Sequence, residues 1–161
     1  MAHVQKHIPN PNARYIWNMT WAYQSDSDQK VFVETFNRDQ MAMYNSILNA
    51  VREKVVPRTD FDAIIPSGTA IQNARTSYFG DNLTKDTYHL NNLGRAIAGY
   101  TLYAVLTGER LTEVNLGPVN SYDLPAYLNL TDADRQVIIE SVNHALDNPW
   151  EVTPSQYPTA E

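Results

Sequence analysis

The sequence predicts an α/β fold built on a parallel sheet, of which this chain holds only a part. Two observations carry that reading. Segments rich in β-formers alternate with segments of helical periodicity, the pattern that makes parallel sheets. Only two strands are convincing, and a parallel pair alone is a poor sheet, because parallel strands need both faces covered and further neighbours. The order strand, helix, strand, short helix, loop, helix, helix is that of the second half of a doubly wound domain, with the N-terminal half missing.

Taken in order, residues 1–13 are polar and carry Pro9 and Pro11, and Val4–His7 reads as the frayed end of a helix. Arg14–Tyr23 is a near-continuous run of large residues and reads as a strand buried on both faces. Gln24–Asp28 is a polar loop. From Arg38 to Lys54 the apolar residues Met41, Tyr44, Ile47, Leu48 and Val51 recur at helical spacing, and Pro57 closes that helix. Phe61–Ile65 is a short apolar run and the second strand. Pro66-Ser67-Gly68 breaks it, Thr69–Arg75 forms a short helix, and residues 76–90 form a loop. Asn91 or Asn92 caps a helix running to Leu106, with Gly108 as its stop. Residues 109–130, with Pro118 and Pro125, form an irregular crossover. Thr131-Asp132-Ala133-Asp134 has the form of a helix start with acid in the first turn, and Asn148-Pro149 ends that helix near Leu146. The tail from Trp150 is irregular. Two regions follow: 1–108 as the core of the domain and 109–161 as a C-terminal extension.

Composition narrows the functional classes. A chain of 161 residues with 43% apolar residues can bury a core of its own. The formal net charge of −6, with no basic stripe, argues against nucleic acid and against anionic membrane surfaces. No run reaches transmembrane length, and the first residues lack the apolar centre of a signal peptide, which fits either a cytoplasmic protein or a start lying upstream. Without cysteine there is no disulfide, thiolate metal site or cysteine nucleophile, and the compartment stays open.

The segment from Asp86-Thr87-Tyr88-His89-Leu90 to Gly94 is the most informative. An acid three residues before a His, on a loop that runs into a helix, suits a charge-relay pair. The carboxylate holds one imidazole nitrogen, and the other takes a proton from a hydroxyl nucleophile and returns it to the leaving alcohol. Base and acid so close in sequence meet without long-range folding.

Three blocks carry a family resemblance: the strand ending Met19-Thr20-Trp21-Ala22-Tyr23-Gln24; Asp39-Gln40-Met41-Ala42-Met43-Tyr44-Asn45-Ser46-Ile47 on the long helix; and Ile65-Pro66-Ser67-Gly68-Thr69-Ala70-Ile71-Gln72 followed by Asp86 through Gly94. Over roughly residues 13–108 the chain resembles the C-terminal part of the SGNH (GDSL-type) hydrolases, especially a sparsely characterised branch from gut Bacteroidetes. The resemblance implies a three-layer α/β/α sandwich of flavodoxin-like type and ester hydrolysis by a Ser-His-Asp triad, with His89 as base and Asp86 as its orienting acid. It implies small-molecule or carbohydrate esters as substrates, no metal or other cofactor, and export for many members. The Gly-Asp-Ser or Gly-Asn-Ser element and the oxyanion-hole Gly and Asn of that family are not found in this sequence. Alone, the chain is therefore expected to hydrolyse little or nothing.

Each remaining candidate has a plainer reading. Ser67 lacks the preceding Gly of a nucleophile elbow and reads as a helix cap or turn residue, a substitute nucleophile being the alternative. Ser25-Asp26-Ser27-Asp28 reads as a solvated loop too sparse for calcium. His3 and His7, four apart, read as solvated rather than metal-binding. Trp17, Trp21 and Tyr23 read as core packing, with Tyr23 able to reach a cleft, and His144 as a surface residue. The rival to the enzyme is a non-catalytic remnant that binds carbohydrate or a protein partner. An uncovered sheet would favour self-association.

Overall fold

The structure, a computed structural model, describes residues 2–116 and 129–158. The chain runs α1 (Ala2–His7), β1 (Ile16–Asn18), α2 (Lys30–Phe36), α3 (Gln40–Lys54), β2 (Ala63–Ile65), α4 (Ser67–Arg75), α5 (Asn92–Thr107) and α6 (Asp132–Asp147). The fold is mixed α/β: among the described residues, one parallel two-stranded sheet and six helices. The expected crossover over 109–130 falls in large part on residues 117–128, which lie outside the described residues.

β1 and β2 pair in the register Ile16↔Ala63, Trp17↔Ile64 and Asn18↔Ile65. The pairing extends past the strands, with the Met19 amide donating to the Ile65 carbonyl at 2.9 Å and the Gly68 amide to the Met19 carbonyl at 2.9 Å. The first strand is therefore three residues long, against an expected ten. Nor is it buried on both faces: Trp17 is 39% exposed and Asn18 is exposed, and full burial begins only at Met19. Two strands cannot cover each other's faces and edges, so Trp17 lies partly open, with the Phe61 ring against it in a T-shaped contact.

α3 begins one residue after Asp39, whose carboxylate accepts from the Ala42 amide, and buries Tyr44, Leu48 and Val51. Those side chains meet Met19, Ala22 and Val55 in one apolar cluster. α2 was not anticipated. It is seven residues long, buries Phe32 and ends at Asn37 in the left-handed region.

α4 is the pivot. All nine of its residues are buried, and it packs on α5 and α6. Its start also lies tight against the segment after β1: an added Cβ at Gly68 would lie 2.0 Å from the Thr20 carbonyl oxygen. Ser67 is not the cap of this helix. Pro66 occupies that position without a side-chain hydrogen bond, and Ser67 Oγ is buried with no hydrogen-bond partner. α5 and α6 complete the second cluster, in which Ile71 and Ala74 meet Ile97, Ala104, Ile138 and Val142. α6 opens with a capping box between Thr131 and Asp134. The irregular tail is stitched along α4: Thr69 Oγ1 donates to the Pro149 carbonyl at 2.7 Å, the Thr153 amide to Asn73 Oδ1 at 2.8 Å, and the Ser155 amide to Thr76 Oγ1 at 2.8 Å.

Candidate active site

Residues 76–91 form a loop that closes on itself through a bridge between Thr84 and Leu90 and enters α5 at Asn91, whose side chain accepts from the Gly94 amide. Asp86 and His89 sit at the tip. The Asp86 Oδ1 oxygen accepts from the His89 amide at 2.8 Å, and Oδ2 lies 2.8 Å from His89 Nδ1. An ionised carboxylate only accepts, so Nδ1 carries the proton and Nε2 holds the free lone pair of the neutral ring. Partial desolvation acts to raise the Asp86 carboxyl, but the hydrogen bonds from the His89 ring and amide outweigh it and hold the group below its ordinary value. Both side chains are reachable from solvent, His89 at 57% and Asp86 at 40% exposure.

The tip is mounted on the segment that follows β1. The Gln24 amide donates to the Thr87 carbonyl at 2.7 Å, Thr87 Oγ1 donates to Ser27 Oγ at 2.9 Å, and Trp21 Nε1 donates to the Tyr88 carbonyl at 2.8 Å. Thr84 Oγ1 adds a bond to the Gln24 side-chain carbonyl. Thr87, between the acid and the base, has φ of 70°, a left-handed conformation that a β-branched residue adopts only under outside constraint. The Tyr88 ring packs between those of Tyr23 and His89, with centroids at 5.7 and 4.0 Å.

His89 lines a groove of about 330 Å3 whose other walls include Asn18, Trp21, Leu90, Arg95 and Leu102. The other sequence candidates are elsewhere or committed. Ser67 is wholly buried, and Ser27 is wholly buried and bonded to Thr87, so neither hydroxyl is open to a substrate. His7 Nδ1 bonds the His3 carbonyl within α1, and no group of three or more His, Asp or Glu suited to a metal occurs among the described residues. Tyr23 packs against Phe32 and Tyr88 instead of opening into a cleft. His144 is not simply a surface residue, since its Nδ1 is buried without a hydrogen-bond partner. Sequence reasoning missed Trp21 and Arg95 as neighbours of His89. Arg95 lies six residues beyond His89, one turn into a helix whose cap was legible, and that is the signal that could have found it.

Residues 1–124 match the family described as "Domain of unknown function (DUF4886)". A crystal structure of a DUF4886 family protein from Bacteroides uniformis ATCC 8492 superposes with a TM-score of 0.79 at 31% sequence identity, covering 94% of this chain and 54% of that one. The chain therefore spans about half the length of that relative. No curated protein matches the chain. These matches correct the resemblance drawn from the three sequence blocks, since no SGNH or GDSL family matches. An Asp-x-x-His spacing before an apolar helix is short enough to arise without shared descent, and the elements that would have made the resemblance specific are not in this chain. The chain belongs to the DUF4886 family.

Proposed function

We propose that Asp86 and His89 are the acid–base half of a hydrolytic site for ester bonds, possessing the base and its orienting acid but drawing its hydroxyl nucleophile from sequence outside this chain. The observation that supports it most is the two-point hold of one carboxylate on the ring and the backbone amide of His89, with Nε2 free of a hydrogen-bond partner among the described residues and the ring lining a groove. In the reaction, Nε2 takes the proton of a serine hydroxyl as its oxygen bonds to the ester carbonyl carbon. The same proton passes to the leaving alcohol as the carbon–oxygen bond breaks, and water then releases the acid by the same route. Asp86 keeps the tautomer and stabilises the imidazolium formed in between. The DUF4886 relative carries further sequence beyond the matched 54%, where such a serine and its oxyanion donors would lie. On this reading β1 and β2 are part of a larger parallel sheet, and a three-layer flavodoxin-like sandwich would cover the exposed Trp17 edge.

The test is hydrolysis of p-nitrophenyl acetate by this chain and by a version extended through the region that the longer relative possesses. Activity in the extended protein that falls about 100- to 10,000-fold in His89→Ala is expected. Robust activity in the short chain, or activity indifferent to His89, sinks the proposal.

A second reading, binding without turnover, draws on the open β1 edge, where Trp17 and Asn18 are exposed. It predicts self-association by sedimentation, lost in Trp17→Lys.

A further inference from the structure

The groove beside His89 is lined by an arginine without an ion-pair partner. The protein is acidic overall, and eight of its twelve Lys and Arg side chains are ion-paired with a carboxylate. All twelve lie among the described residues. Arg95 and Lys85 are not so paired, and the two line one depression at the start of α5, with Arg95 also lining the groove of His89. The other two without such a partner, Lys6 and Arg52, lie on α1 and α3. One cation without an ion-pair partner thus shares the groove of the imidazole, and a second shares the neighbouring depression, in a chain that otherwise pairs most of its own.

Gly99 is the second observation. It occupies the interior of α5, where glycine weakens a helix relative to alanine. Its φ is not positive, and an added Cβ would meet no atom within 4 Å. Neither backbone nor packing calls for glycine there, in contrast to Gly94, where a Cβ would lie 2.4 Å from the Leu83 carbonyl oxygen. Arg95, Gly99 and Leu102 fall on one helical face. The missing side chain leaves the groove open between Arg95 and Leu102 along α5, with Trp21 adding apolar wall.

We propose that this groove is the substrate subsite of the hydrolytic centre and selects esters that carry a carboxylate. The guanidinium of Arg95, with Lys85 adding field, holds the carboxylate, and the apolar part of the ester lies over Gly99 against Leu102 and Trp21. Asp86 lines neither depression, its two oxygens being turned to the His89 amide and ring. This inference rests on the hydrolytic reading of Asp86 and His89, but its test needs no turnover.

The indole N–H of Trp21, held by the Tyr88 carbonyl, is a reporter on the groove wall. Its NMR resonance is followed while phenylacetate or phenylethanol is titrated into the chain. Both are expected to shift it, phenylacetate binding about fivefold more tightly or better. Arg95→Met should bring phenylacetate down to the level of phenylethanol. Gly99→Leu, which adds helix propensity and leaves the circular dichroism unchanged, should abolish both responses. Equal affinity for the two compounds, a preference that survives Arg95→Met, a groove indifferent to Gly99→Leu, or no response at all overturns the proposal. Binding with no His89-dependent turnover in the extended protein therefore strikes the hydrolytic reading alone, and turnover with no carboxylate preference strikes the groove alone.

Discussion

Arg75 Nε lies 2.9 Å from Asp81 Oδ1, with only 4% of the arginine side chain exposed. Around that pair four segments converge. Arg75 donates to Gln72 Oε1 at 3.0 Å and to the Ala22 carbonyl at 3.1 Å. Asp81 accepts from the Ser25 amide at 2.7 Å and from Gln40 Nε2 at 2.9 Å. Gln40 in turn donates to the Tyr23 carbonyl at 2.7 Å. The segment after β1, on which the Asp86–His89 tip is mounted, is thereby fastened to α3, α4 and the start of the tip's own loop. Burial draws the Arg75 guanidinium below its ordinary value, and the Asp81 charge opposes that shift.

Removing the acid alone leaves a buried cation without its counter-charge, which is far more damaging than the pair is stabilising. Asp81→Ala should therefore destabilise by about 3 kcal/mol, the lower end for a broken buried pair, because Asp81 itself is 28% exposed. Urea unfolding checks the size. The tip should loosen as well, read as faster exchange of the Gln24 amide, which donates to the Thr87 carbonyl.

The glycines make an opposed pair of predictions. Gly68→Ala drives a methyl to 2.0 Å from the Thr20 carbonyl oxygen, and backbone on both sides must move. A loss of about 3 kcal/mol or outright misfolding is expected. Gly99→Ala meets open space within a helix and should gain about 0.5–1 kcal/mol. Thermal melts of the two variants should move in opposite directions.

What was legible in the sequence was local. Asn91 and Gly108 bound α5 as the cap residues demanded, and Thr131 with Asp134 forms the capping box that opens α6. Asp86 and His89 meet because three residues separate them. What was illegible depends on distant chain. β1 stops at Asn18 although β-formers continue, because its partner offers only Ala63–Ile65 and the residues beyond turn to hold the 76–91 loop. The seven-residue α2 is too short to show a helical period, and a single buried Phe32 anchors it. The burial of Arg75 depends on Asp81 and on Ala22, the latter 53 residues away, which close over it. Trp21 could not be assigned to the groove, because its contact with Tyr88 spans 67 residues.

Tyr78 ties α6 to the stitched tail: its hydroxyl donates to Asp134 Oδ1 at 2.7 Å and its amide to the Tyr157 carbonyl at 2.9 Å. Burial, the bond to Asp134 and its negative charge push the Tyr78 hydroxyl up from 10.0 to about 12. A group raised on folding contributes stability that is fully present below its unfolded value, and that contribution declines from pH 10 and is lost as pH rises through about 12. Burial acts to raise the Asp134 carboxyl, but the Thr131 and Tyr78 bonds prevail and hold it low, so its contribution is present above the ordinary carboxylate range and lost as pH falls through the lowered value. Tyr44 and Tyr103 are raised as well, so tyrosinate absorbance should show several late-titrating phenols, one of which disappears in Tyr78→Phe. Thr131→Ala should cost about 1 kcal/mol in helix capping.

The sharpest separation between a working pair and an ornamental one is Asp86→Asn. The pair is exposed, so screening keeps its contribution to the fold small, and the melting temperature should hardly move. The asparagine keeps the shape of the tip and can still accept from the His89 amide. Its NH2 group, however, offers a donor to Nδ1, which favours the ring tautomer with the proton on Nε2. That tautomer presents a donor to the groove where proton abstraction needs a lone pair. Turnover of p-nitrophenyl acetate by the extended protein should fall about 100- to 10,000-fold, while the imidazole nitrogen shifts of His89 report the exchange of tautomers directly. A merely structural loop would show the exchange of tautomers with undiminished turnover, and that outcome would remove His89 from the reaction.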